Sequence, residues 1–168
     1  MRIEDFDALP DAEAAAALRA CADVPGWVDA LVAGRPYGSA ETLVVAADER
    51  ARAWTPADVE VALADHPRIG EKAAGTGVSA DHSRVEQAGV DAADPTFAER
   101  MRAGNLRYEE RFGRIYLVRA KGRTGEEMLA FLEQRLGNDE ATELAVTAGQ
   151  LREIALLRLR TLLGEDEA

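Results

Sequence analysis

The residues best equipped for chemistry crowd into one polar stretch, His66-Pro67-Arg68-Ile69-Gly70-Glu71-Lys72, followed closely by Ser83-Arg84-Val85-Glu86-Gln87. Histidine titrates near neutral pH unaided, and a partly buried glutamate can be raised toward the same range. His66 and Glu86 are therefore the candidate proton-transfer pair. Ser83 and Gln87 flank Glu86 at i−3 and i+1, with donors and acceptors suited to a planar, amide-rich substrate. Ser83-x-x-Glu86 also has capping-box spacing, so the same residues can open a helix with or without a catalytic role. Arg158 stands in the apolar run Leu157-Arg158-Leu159. A guanidinium there wants a carboxylate, either the protein's own or a ligand's. The sequence contains no Gly-x-Ser-x-Gly elbow, no Cys-His nucleophile logic and no glycine-rich phosphate loop. His82 and Glu86, four apart, could share a helical face and hold a metal with His66 and Glu71. Two histidines make that the weaker reading; no metal is expected, and His82 reads as a surface residue.

The elements that must position these groups are mostly helices. Apolar spacing and capping signals predict helices over 11–22, 27–33, 40–54, 56–65, 95–112, 125–136 and 139–163. Thr55-Pro56 reads as N-cap plus N1 proline, and Thr124-x-x-Glu127 as a capping box. His66 precedes Pro67, which disfavours the α region, so the 56–65 helix should end there. His66 would then sit at a helix C-terminus, where the dipole favours its protonated form. Leu144, Leu151, Ile154, Leu157 and Leu162 are expected to supply much of the last helix's apolar face. Arg114 to Arg119 is β-branched and aromatic and reads as extended, with no sheet partner elsewhere. Its backbone N–H and C=O groups need partners, and a ligand is one candidate.

The chain has 168 residues with no repeat or linker, which predicts a single domain over 1–168. Hydrophobic residues make up 47% but aromatics only 5%, so the core must rest on Leu, Val and Ala. Helix-on-helix packing suits that, and the predicted class is an all-α bundle with one short extended segment near 114–119. A net charge of −11 argues against a nucleic-acid partner. No run approaches membrane-spanning length, and the acidic N-terminus does not resemble a signal peptide, so the expected location is the cytoplasm. Cys21, the single cysteine, cannot form an intrachain disulfide and is expected in the core.

His-Pro-Arg-Ile-Gly at 66–70, Ser-x-x-Glu-Gln at 83–87, Asn105 with Tyr108, Phe112-Gly113, Gly122-Arg123, Glu153-Ile154 and Leu157-Arg158-Leu159 together resemble the OHCU decarboxylases. These act on 2-oxo-4-hydroxy-4-carboxy-5-ureidoimidazoline in urate breakdown. The resemblance runs from about Phe6 to Leu163. It implies an all-α fold, usually a homodimer, and a cofactor-free carboxy-lyase yielding (S)-allantoin. It also implies residue roles. His66 would be the principal catalytic residue and Glu86 its acid/base partner. Ser83 and Gln87 would hold the ureido and ring amides, and Arg158 would face a carboxylate or carbonyl oxygen. Pro67 would set the pocket wall, and the backbone from Ile115 to Leu117 would supply polar groups. The sequence departs from the family pattern at Arg114, where an aromatic is usual. An arginine there would face solvent or alter the pocket mouth. Two other readings remain beside this one: a non-catalytic helical module binding a purine metabolite or a protein, and a metal-dependent enzyme using His66 and His82.

Overall fold

A computed structural model describes residues 1–64, 66–70 and 95–165. Among these the regular structure is helical: α1 (Ile3–Asp7), α2 (Asp11–Cys21), α3 (Pro25–Ala33), α4 (Ala40–Ala51), α5 (Pro56–Leu63), α6 (Pro95–Phe112), α7 (Gly125–Arg135) and α8 (Glu140–Leu162). The all-α expectation holds, and the helix limits fall within a few residues of those predicted. The five-residue α1 was not anticipated, being shorter than hydrophobic periodicity can reveal. No helix among the described residues is long and apolar enough to cross a membrane. The chain divides into two compact units, Met1–Ala62 with Arg152–Ala168, and Leu63–Leu151.

In the first unit α2, α3 and α4 pack in sequence around Phe6, Ala14, Leu18, Leu31, Leu43 and Ala47, each excluded from solvent. Ser39 caps α4 by accepting from the Thr42 N–H at 3.1 Å. The Arg35 guanidinium gathers the turn between α1 and α2, donating to the Phe6 and Leu9 carbonyls at 3.1 and 2.7 Å. The Trp27 indole donates to the Ala47 carbonyl at 3.0 Å and meets Trp54 edge to face, 6.2 Å between centroids. Cys21 is buried, as expected, and burial pushes its thiol pKa up to about 12.

The second unit is organised by α6 and α7, which run parallel. Arg100 pairs with Glu126 and Arg107 with Glu133, and Arg114 just past α6 pairs with Glu140. Both partners advance by seven residues at each step, which between the first two pairs is roughly 10 Å along each helix. The close packing keeps the same register. A Cβ on Gly125 would lie 2.7 Å from the Phe97 ring, and one on Gly104 would lie 3.0 Å from both Leu132 methyls. Two glycines thus let the helices approach.

Parallel neighbours explain the 113–124 connection. Phe97 lies beside Gly125 near the start of both helices, so the chain leaving Phe112 must return roughly 22 Å. Twelve residues as a helix would span only about 18 Å, whereas an extended chain covers the distance easily. Gly113, at φ 66°, makes the reversal that ends α6. Tyr116, Val118 and Ala120 then point alternately into the cluster of Phe97, Met101, Tyr108, Met128 and Leu132. That two-residue alternation is the one expected of an extended chain, and the segment joins no strand ladder among the described residues.

Candidate active site

His66 sits three residues beyond the end of α5, its N–H donating to the Leu63 carbonyl at 3.0 Å. This is the helix-terminal position that Pro67 imposes from the sequence. His66 and Pro67 are half-buried, and the His66 Nε2 atom is buried.

The segment that follows is fastened to α6 at two points. Asn105 Nδ2 donates to the Ile69 carbonyl at 3.1 Å. Arg68 grips Glu109 with two parallel bonds, Nε to Oε1 at 2.5 Å and Nη2 to Oε2 at 2.8 Å. Asn105 and Glu109 are four apart and so share one face of α6. The Arg68 guanidinium holds the Glu109 carboxyl below its ordinary pKa. Ile69 is 2% exposed and seals the segment against the α6–α7 cluster. Gly70 turns the chain at φ 85°, with its Cα side against Met101. A backbone held by a bidentate ion pair, a side-chain amide hydrogen bond and a buried isoleucine gives His66 a fixed origin.

The returning segment is anchored from within by a buried polar network. Glu143 is wholly excluded from solvent and has the partners a buried carboxylate requires. Arg135 Nε and Nη2 donate to it at 2.8 and 2.6 Å, Asn138 Nδ2 at 2.8 Å, and the Tyr108 hydroxyl by a short bond. Arg135 Nη2 also donates to the Thr147 hydroxyl at 3.1 Å. Arg135 Nη1 is left to donate to the Leu117 carbonyl at 2.6 Å, and its guanidinium lies 4.9 Å from the Tyr116 ring centre. The Tyr116 hydroxyl donates to the Met128 carbonyl at 2.8 Å.

The expected site residues therefore fall as follows. His66, Pro67, Ile115 and Leu117 lie in the second unit. Ile115 is half-buried and Leu117 buried, with the Leu117 carbonyl taken by Arg135. Arg158 lies in the first unit, 3% exposed, where its charge opposes the rise of the Cys21 pKa. Ser83, Glu86 and Gln87 lie outside the described residues, as do Glu71 and His82 of the metal reading. Arg114 does not follow the solvent expectation. Its side chain is 7% exposed and forms the last Arg–Glu rung with Glu140.

Sequence reasoning passed over Arg68, Glu109, Arg135, Glu143 and Gln150 as supporting residues. A signal was available for two of them. Glu143 and Thr147 occupy the stripe that continues as Leu151 and Ile154, all of them buried. Polar residues on an apolar stripe announce an internal network. The predicted face of α8 needs the matching correction: Leu144 and Leu162 are only half-buried.

The OHCU decarboxylase family model matches residues 7–160. The 2-oxo-4-hydroxy-4-carboxy-5-ureidoimidazoline decarboxylase of Amia calva is 31% identical over 136 residues, covering 80% of this chain and 78% of its own. The uric acid degradation bifunctional protein TTL of Arabidopsis thaliana is 29% identical over 134 residues, which are 77% of this chain but 41% of that protein. A crystal structure of OHCU decarboxylase in the presence of (S)-allantoin matches with a TM-score of 0.72 at 22% identity, over 86% of this chain and 94% of the other. At that identity the likeness bears on fold alone. From the span of the family match and the identity to the Amia calva enzyme, the chain belongs to the OHCU decarboxylase family.

Proposed function

We propose that His66 is the principal catalytic residue of this carboxy-lyase, which decarboxylates 2-oxo-4-hydroxy-4-carboxy-5-ureidoimidazoline to (S)-allantoin in urate catabolism. The observation that carries the reading is the family match over residues 7–160, which takes in His66, Glu86 and Arg158.

Loss of CO2 breaks the bond to the carboxyl carbon and leaves its electron pair on the ring. That pair must delocalise into the adjacent imine and carbonyl system before a proton replaces the lost group. Donors aimed at the developing charge are sufficient for such chemistry, so no cofactor is invoked. His66 polarises or deprotonates the substrate hydroxyl, and Glu86 is its acid/base partner. Ser83 and Gln87 bind the ureido and ring amides, Arg158 faces a carboxylate or carbonyl oxygen, and Pro67 fixes the pocket wall beside His66. Backbone groups between Ile115 and Leu117 complete the cradle. The two fastenings on α6 support this assignment, because a catalytic imidazole needs a rigid backbone origin. The working form is a homodimer in the cytoplasm, with no nucleic-acid or membrane partner.

The test is a coupled circular-dichroism assay. Urate, uricase and hydroxyisourate hydrolase generate the substrate in place, and the protein is then added. Fast decay of the substrate signal with growth of the (S)-allantoin signal, abolished by His66→Ala, is the expected result. Decay at the spontaneous rate rejects the activity, and normal turnover by His66→Ala rejects the residue assignment.

A further inference from the structure

A pocket of about 300 Å³ lies wholly within the second unit, at the low end of the range for small-molecule sites. Phe131 and Gln134 line it from one face of α7, and Thr142, Val146 and Gln150 from one face of α8. Val118 and Arg123 line it from the connection before α7. None of the residues assigned to the substrate is among this lining.

Arg123 gives the pocket its charge. Its half-buried guanidinium lies over the Phe131 ring, 4.8 Å from the centroid, and Phe131 itself is 39% exposed. Arg123 Nη1 donates to the Arg119 carbonyl at 3.0 Å and to Gln150 Oε1 at 3.2 Å. Gln150 Oε1 is fixed in turn by the Arg119 N–H, which donates to it at 2.9 Å. The guanidinium is thus held from two sides, by the ring and by these bonds. Its Nε and Nη2 have no hydrogen-bond partner among the described residues. Those two nitrogens lie side by side and form an edge that grips a carboxylate with two parallel bonds. No Asp or Glu lines the pocket among the described residues. The other arginine of the lining, Arg135, is already paired with Glu143 at 2.6 Å. The Glu127 carboxylate feels the Arg123 charge but is bonded to the Thr124 N–H and hydroxyl, at 2.7 and 3.0 Å. In a chain of net charge −11, Arg123 therefore stands beside an apolar cavity with no ion pair among the described residues.

We propose that this pocket binds a small organic carboxylate with a planar, apolar body. The Nε–Nη2 edge of Arg123 clasps the carboxylate, and the body rests against Val118, Phe131 and Val146. The site is additional to the substrate's and does not depend on the decarboxylase reading.

Benzoate is the probe, and benzamide is its uncharged counterpart of the same shape. In NMR titrations of the isotope-labelled full chain, benzoate is expected to shift the Phe131, Gln134 and Val146 amides and the Arg123 Nε signal saturably, with a Kd of about 1–10 mM. Benzamide is expected to bind about tenfold more weakly or worse. Arg123→Met keeps a flat contact with Phe131 but loses the charge, and is expected to weaken benzoate about tenfold while leaving benzamide unchanged. Phe131→Ser alters an exposed side chain and is expected to weaken both probes. Equal affinity for benzoate and benzamide in the unsubstituted protein overturns the proposal without recourse to any variant. So do benzoate shifts that fail to saturate, or that centre on His66 and Arg158 instead of this pocket.

Discussion

Arg68 and Glu109 form a two-bond ion pair that ties the residue two places after His66 to the last turn of α6. The pair is half-exposed on the arginine side and less so on the glutamate side, so its worth to stability is modest. Its value lies in direction. A bidentate fork fixes the plane of the guanidinium, and through Pro67 the approach of His66. Glu109→Gln keeps the shape but removes the charge. It should cost about 1 kcal/mol and lower kcat about tenfold.

The pH dependence of that cost has a definite sign. Arg68 depresses the folded-state pKa of Glu109 below its ordinary value of 4.5. A depressed acid contributes stability that is fully present above the unfolded pKa and lost as pH falls through the folded one. The gap in stability between wild type and Glu109→Gln should therefore be constant from neutral pH down to about 5 and shrink below 4.5. Denaturant melts at several pH values measure it. A gap that widens on acidification contradicts the ion-pair account.

Asn105 is the second fastening, and its arithmetic is different. The side chain is 4% exposed, and Nδ2 is satisfied by the Ile69 carbonyl. Oδ1 is buried without a hydrogen-bond partner among the described residues. Asn105→Ala loses one bond but also relieves that unsatisfied oxygen, so the net loss should be near the low end for a buried polar group, about 1 kcal/mol. Asn105→Asp should be worse, since a carboxylate would face the Ile69 carbonyl with no proton to give. Equal melting temperatures for the two variants would show that the Nδ2 bond has little part in holding the segment.

The parallel contact of α6 and α7 makes a prediction about glycine. Gly125→Ala would put a methyl 2.7 Å from the Phe97 ring, and Gly104→Ala one 3.0 Å from two Leu132 methyls. Each overpacks a buried contact and should cost about 1–3 kcal/mol. Gly26→Ala, in α3 with nothing within 4 Å, is the control and should be neutral or stabilising by about 0.5–1 kcal/mol. A Leu132→Ala background should absorb much of the Gly104→Ala cost, and a double-mutant cycle reads the coupling. Full additivity of the two changes would refute the close approach.

The helices were legible because their caps and apolar spacing are local signals. Thr124 and Glu127 bond reciprocally, as the capping-box pattern foretells. The extended character of 115–120 was also legible, from its β-branched and aromatic residues. Its cause was not, because parallel α6 and α7 are a tertiary fact. The Arg100, Arg107, Arg114 and Glu126, Glu133, Glu140 spacings record that fact, but only once the two helices are known to face one another. Within the site, the sequence marked His66 through its neighbouring proline and glycine. It could not show which partners hold the segment, because Glu109 lies 41 residues from Arg68 and looks like any exposed helical glutamate. Arg114 misled for a related reason. A charge in an apolar run suggests a side chain turned to solvent, and it proved to be a buried partner of Glu140.

The buried network around Glu143 predicts behaviour at high pH. Burial first, and then the hydrogen bond to Glu143, push the Tyr108 phenol up to about 12. Burial raises Tyr116 as well, against the opposing charge of Arg135. A raised phenol favours the neutral form in the folded state. Its contribution is complete below the ordinary value of 10 and is lost as pH rises through the folded value. Absorbance at 295 nm should therefore show these two tyrosines ionising only together with loss of the helical circular-dichroism signal. Glu143→Ala would strand Arg135 without its carboxylate and should cost about 3–5 kcal/mol. It should also move the alkaline transition to lower pH, because the Tyr108 hydroxyl loses the acceptor that holds its proton. More than the single phenolate that Tyr37 accounts for, appearing near pH 10 in wild type with the helical signal intact, would mean that Tyr108 and Tyr116 are open to solvent, and that the network does not close around the 115–119 segment.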